Sequence, residues 1–438
     1  MMDYKLSDLE TWDDRILEIA AKHNLDPFPI EYEFIDYYSM MAAMAFHGMP
    51  THYNHWSFGK SFERTHRMYD LGAEGLPYEL IINANPSVAY MMRENPLYLQ
   101  VLIMAHCVGH SDFFKNNRTF KGTRPDTIVG RSRAAKKRFQ SYVESQHIGI
   151  DKVEQVIDAC HAIQFQCSRP GWIRQTREEI VQNYIDAKAQ DPEDTTDLDI
   201  NANPLKPDYD VLAFISENAK LPAWKKDIID VCRDEGQYFW PQIQTKIMNE
   251  GWASYWHYTI LHELNLPPEL HVPFIKSHNQ VIRPHIGGIN PYHLGFHLFQ
   301  RIKERRGIEE CFIAREVHRD SAFLQQYLTR EDCEDLNLFS YSEKKNGSVT
   351  IDDVSDEEGW KHVRNDLVNS VSGGGIPVLR VQSTGRNGSM HIMHEHDGRD
   401  LQLDEAKATL KHLTCLWGNS VSLETIVDSN IQRIDADI

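Results

Sequence analysis

Several features are missing from this 438-residue chain, and each absence closes off a class of protein. No stretch of roughly 18 uncharged apolar residues occurs, so no segment is expected to span a membrane. Met1 to Leu9 carries charges and no apolar signal core, so secretion is not expected. The 7 cysteines (Cys107, Cys160, Cys167, Cys232, Cys311, Cys333 and Cys415) are odd in number and never spaced as CxxC. They read as reduced thiols in a cytoplasmic protein. No internal repeat of fixed period and no low-complexity tract is present. Positive charge is in deficit: the net charge is −18, which repels phosphate backbones and argues against nucleic-acid binding. The one basic run, Arg131, Arg133, Lys136, Lys137 and Arg138, reads as a solvated helix face.

What is present is an ordinary globular composition, 41% hydrophobic and 25% charged, with 10% aromatics to fill a large interior. The length exceeds what one core usually serves, so two domains are expected. The first, residues 1–335, reads as mainly α. Helices are expected at Ile30–Phe46, Ser61–Asp70, from Asn95-Pro96 to about Phe114, at Val211–Glu217, Ala223–Ile243, Lys246–Leu264, near Val272–His278, and at Pro291–Glu304. Tyr78–Ile82 is short, apolar and β-branched and reads as a strand. The acidic stretch 191–210, rich in Asp, Asn, Thr and Pro, reads as an exposed loop. From Leu336 the period turns alternating. Strands at Leu338–Ser342, Val349–Val354, Ile376–Gln382, Met390–His394 and Val421–Ile426 enclose helices at Asp356–Asn369 and Asp404–Trp417. That order, β-β-α-β-β-α-β, predicts a small α+β domain over 336–438.

The chemistry concentrates in histidines and carboxylates. His106 and His110 are four apart in a helix that is apolar nearly all round, so both imidazoles share one buried face and can chelate one ion. Gly109 between them costs about 1 kcal/mol relative to alanine inside a helix, which close approach of another backbone would explain. On a second apolar helix, Glu250 and His257 are seven apart and also share a face. A carboxylate among tryptophans and tyrosines needs a cation or a hydrogen-bond network. Two imidazoles and one carboxylate form a common ligand set for catalytic zinc. Glu154, Asp158 and His161 stand at i, i+4 and i+7 on a third helix. Asp158-x-x-His161 has the carboxylate-x-x-histidine form of helical di-iron proteins, which makes iron the alternative metal. If that face points inward, Glu154 or Asp158 supplies a catalytic base or a second metal site; otherwise it is a solvated stripe. His47, His52 and His55 crowd an irregular segment; that density invites a metal reading, but they read as structural or as supports behind a metal's ligands. His394 and His396 lie at a strand end and are expected at the surface.

The order of these elements is similar to that of gluzincin metallopeptidases: a strand, an HxxxH helix, a Glu-Gly-Trp-Ala helix (Glu250–Ala253), then Tyr292-His293-Leu294-Gly295. The resemblance implies His106, His110 and Glu250 as zinc ligands, and Tyr292 or His257 as the group steadying an oxyanion. It implies a peptide-like substrate. One position departs from the pattern: the glutamate that follows the first histidine in gluzincins and serves as base is Cys107 here. The base then comes from elsewhere, or the chemistry differs, or the site is idle.

Taken together, His52–Lys60 (HYNHWSFGK), Tyr78–Pro86 (YELIINANP), Met104–Asn117 (MAHCVGHSDFFKNN), Gln244–His257 (QTKIMNEGWASYWH), Gly288–Gly295 (GINPYHLG) and the LWG segment within Leu410–Thr425 resemble the SpoVR family. That resemblance implies a cytoplasmic protein linked to spore cortex formation or a stress response. It implies a serine kinase and a von Willebrand A-type protein as neighbours or partners. It does not carry a reaction. A zinc-dependent hydrolase, a non-enzymatic scaffold acting with the kinase, and a di-iron carboxylate protein remain the readings to compare.

Overall fold

The computed structural model describes residues 4–71, 79–191, 198–284, 288–343, 349–354, 356–357 and 359–437. The chain forms two compact units, one of residues 1–136 with 241–374, the other of 137–240 with 375–438. This differs from the expected division at 335/336. The expected small domain is split. Strands β4 (Phe339–Glu343) and β5 (Val349–Val354) and the helix Trp360–Ser370 belong to the first unit, where Leu367 joins the main core. Alternation in sequence marked the strands but did not say which sheet they would join.

The first unit holds the earlier strands β1 (Ile30–Ile35), β2 (Glu79–Ile82) and β3 (Ser87–Met92) in a sheet of order β1-β3-β2. β1 runs parallel to β3, and β2 antiparallel to it. The expected helix over Ile30–Phe46 is in fact β1 followed by a helix at Tyr37–Ala45. Ile30, Tyr32 and Phe34 alternate with Glu31 and Glu33, a period of two, and Asp36 then caps the helix by accepting from the Ser39 amide at 2.8 Å. Strand β3 was not expected either. Buried along Ser87–Met91, it reads as an unbroken apolar run without alternation. Of the expected strand Tyr78–Ile82, Tyr78 lies outside the described residues, as do 192–197 of the acidic loop.

Three helices make the centre of this unit. We call them the histidine helix (Leu97–Asn116), the glutamate helix (Lys246–Glu263) and the tyrosine helix (Pro291–Arg306). The histidine helix is buried continuously from Leu99 to Phe114, so it runs through the interior. The glutamate helix is tied at its start by Asp320, whose carboxylate accepts from the amides of Ile247 and Met248, each at 2.9 Å. Burial raises the Asp320 pKa to about 7, against the pull of those two amides.

The consequence is a stability slope. Unfolded, Asp320 loses its proton near the ordinary carboxylate value of 3.8; folded, it holds the proton to about 7. Stability from this group is therefore full below about pH 4 and falls as pH rises to about 7. Asp320→Asn keeps an acceptor and removes the titration. Urea unfolding at pH 5 and 7.5 should show a smaller drop in the variant than in the parent; equal drops would refute the assignment.

In the second unit the sheet has the order β6-β7-β8-β9 (Leu379–Thr384, Met390–His394, Val421–Val427, Asn430–Ala436). β7 and β8 are parallel and the outer pairs antiparallel. β9, a mostly exposed edge strand with charged residues, was not expected. The helix Leu403–Trp417 packs on this sheet and on the helix Ile150–Ala162.

Candidate metal centre

The centre exists because helix backbones touch. A Cβ on Gly109 would lie 2.7 Å from the Ala253 Cα, and one on Gly251 would lie 2.4 Å from the Gly295 Cα. Both are closer than side chains tolerate, so glycine at these crossings lets the glutamate helix seat against its two neighbours. The close approach suspected from Gly109 is what the structure contains.

Across that seam His106, His110 and Glu250 each offer one ligand atom, all within 4.8 Å of one another. The two Nε2 atoms are 3.0 Å apart, and Glu250 Oε2 lies 3.4 Å from His110 Nε2 and 3.8 Å from His106 Nε2. An ion held tetrahedrally by bonds of about 2.05 Å separates its ligand atoms by about 3.3 Å. The observed triangle has that size. Among the described residues Glu250 Oε2 makes no hydrogen bond of good geometry, and its nearest polar neighbours are the two imidazoles. His110 Nδ1 lies 2.9 Å from the Asn249 side-chain oxygen, an acceptor, so in the neutral ring the proton sits on Nδ1 and the Nε2 lone pair faces the gap. These residues fit a zinc ion.

Electrostatics separates the two carboxylates that meet here. Burial pushes Glu250 up, but His106 and His110 outweigh it and hold the carboxyl well below its usual range. Burial likewise disfavours charge on His110, and Glu250 more than restores it, so its pKa is raised. Glu79, from β2, reaches the same site with Oε1 3.8 Å from His106 Nε2. There burial dominates the opposing histidines, and its pKa is raised. Tyr292, on the tyrosine helix, stacks near His106 with ring centroids 6.2 Å apart. Burial first, then Glu250 and Glu79, keep its hydroxyl protonated far above the ordinary tyrosine range.

His257 has both ring nitrogens engaged. Nδ1 lies 2.9 Å from His106 Nδ1, and Nε2 lies 2.8 Å from Nδ1 of His278, on the helix Pro268–Val281. It therefore backs His106 instead of facing a reacting group. Cys107 is fully buried, and burial drives its thiol well above the usual value, so it supplies no base.

Of the residues singled out in sequence, the structure brings together His106, His110, Glu250, His257 and Tyr292. Glu154 and Asp158 sit half-buried on the helix Ile150–Ala162, which belongs to the second unit. Among the described residues His106, His110 and Glu250 form the one group of three placed to hold an ion. Sequence reasoning missed Glu79, Asn249 and His278. An acid in the otherwise apolar strand Glu79–Ile82 was the available signal for the first. His52 and His55 are buried, and His55 Nδ1 accepts from the Ser57 amide at the start of the helix Trp56–Asp70. His394 corrects an expectation: it is buried and bonds the Thr425 hydroxyl at 2.9 Å. Its strand β7 is interior to the sheet, which covers it.

A mainly helical protein with a His-His-Glu centre between packed helices is the class that fold and site define. The chain belongs to the SpoVR family: residues 3–376 match the family described as SpoVR like protein, and 376–428 match the SpoVR-like C-terminal domain. It is 32% identical over 473 aligned positions to the uncharacterized protein YcgB of Escherichia coli (strain K12), covering 96% of this chain and 92% of that one. No solved structure matches it. Among the described residues, no helix is long and apolar enough to cross a membrane.

Proposed function

We propose that the chain is a zinc-dependent hydrolase of peptide or amide bonds, with His106, His110 and Glu250 as ligands. The observation that carries this is the triangle of three ligand atoms, His106 Nε2, His110 Nε2 and Glu250 Oε2, with edges of 3.0, 3.4 and 3.8 Å. Zinc in such a set polarises a carbonyl and makes a water acidic near neutral pH. Glu79 is the group suited to accept the proton of the attacking water and return it to the leaving nitrogen. Its raised pKa fits a carboxylate that must take up and release a proton. Tyr292, kept protonated, is a donor for the oxyanion that forms on the scissile carbonyl. The base absent at Cys107 is thus offered by β2. The likeness to gluzincins rests on the order of motifs in the sequence.

Among the described residues one group of three is placed to hold an ion, and it supports a single-metal centre over a di-iron one. A cytoplasmic location is supported by seven free cysteines, six of them buried. A serine kinase and a von Willebrand A-type partner, and a role in spore cortex formation or stress, rest on family resemblance.

Metal analysis tests the centre. The purified protein should carry about one zinc per chain, and His110→Ala should lose it, with a lower melting temperature that added zinc no longer raises. A parent protein without stoichiometric metal, equal in stability to His110→Ala with and without chelator, would end the reading.

A further inference from the structure

The row of imidazoles behind the site is longer than ligation needs. From His106 it passes to His257 and on to His278, with nitrogen–nitrogen distances of 2.9 and 2.8 Å. His257 is 0% and His278 2% exposed. The ring of His278 is enclosed by those of Tyr258 at 4.7 Å and Phe296 at 5.0 Å.

We infer that His257 and His278 are positioning residues that fix the tautomer of His106, with one proton per ring ordered outward from the ligand nitrogen. The inference rests on the metal reading above. A ligand nitrogen must offer a lone pair, so when His106 binds through Nε2 its proton is on Nδ1. Among the described residues that proton faces His257 Nδ1, which must then be an acceptor. A neutral imidazole has one donor and one acceptor, so His257 carries its own proton on Nε2 and donates to His278 Nδ1. His278 is left protonated on Nε2. Both rings are buried away from water, which favours the neutral form along the row. His110 needs no such row, because the Asn249 oxygen receives its Nδ1 proton directly at 2.9 Å. The two ligands are thus oriented by different devices, an amide for one and a chain of two imidazoles for the other.

A comparison of two substitutions at one position separates orientation from space-filling. His257→Asn places Oδ1 near the site of Nδ1 and can still accept from His106; His257→Leu fills similar space and cannot. Zinc affinity is measured by competition with a chromophoric chelator, with folding followed by circular dichroism. His257→Leu should bind zinc about 10–100-fold more weakly, the usual loss when an outer partner of a ligating histidine is removed, and His257→Asn should stay within about threefold of the parent. Equal affinities for the two variants would overturn the inference. A parent that binds no zinc would instead sink the metal reading itself, so the two failures are distinct. Should His257→Leu not fold, long-range 1H–15N spectra of the zinc-loaded parent decide: His278 protonated at Nε2 supports the ordering, and at Nδ1 refutes it.

Discussion

Glu79→Gln should leave about one zinc per chain in place while lowering hydrolytic turnover by about 10²–10⁴-fold, the usual worth of a positioned general base. The reasoning starts from where each carboxylate sits. Glu250 is held ionised by two imidazoles and is committed to the ligand triangle. Glu79 stands beside the triangle, 3.8 Å from His106 Nε2, on a different element, with burial favouring its protonated form. Glutamine keeps its size and hydrogen-bonding reach but cannot take up a proton. Turnover of an internally quenched peptide library, read beside zinc content, gives both quantities from one preparation. Loss of zinc in Glu79→Gln would make Glu79 a ligand; unchanged turnover would remove it from the chemistry.

The second large effect is expected at the glycine that follows Glu250. Gly251→Ala places a Cβ 2.4 Å from the Gly295 Cα and carbonyl carbon, and both obstacles are backbone. Side chains can swing away from such a contact, but packed helices must separate. Overpacking of this kind costs about 3 kcal/mol or more, a fall in melting temperature of about 6 °C or more for a unit of this size. Zinc content should fall with it, because Glu250 precedes Gly251 and moves with the helix. Gly59→Ala is the control. It lies on an exposed helix face with nothing within 4 Å of the added carbon, and should gain about 1 kcal/mol. Calorimetry on both variants checks the contrast; equal melting temperatures would show that the seam adapts.

Much of the local structure was legible because it follows from backbone periods. The spacing of His106 and His110 fixed their shared face, and Asn95-Pro96 marked the start of their helix to within a residue. The strands Val349–Val354 and Met390–His394 were read to the residue from alternation. Reading failed where periods are hidden. β3, buried along nearly its whole length, shows no alternation, and β1 was merged with the helix behind it. The domain boundary failed for another reason: a strand's pattern states that it has a covered face, not which neighbour covers it.

The sequence by itself determined that this chain carries a buried histidine pair, an acid on a second apolar helix, and glycines where those helices had to come close. Each is a property of one segment, set by 3.6 residues per turn and by the cost of burying polar groups. Only the tertiary structure decided that Glu250 closes the triangle, that Glu79 reaches it from β2, and that His278 stands behind His257. Those facts join residues far apart in the chain. They are set by which helix surfaces fit together, and no local period records that fit.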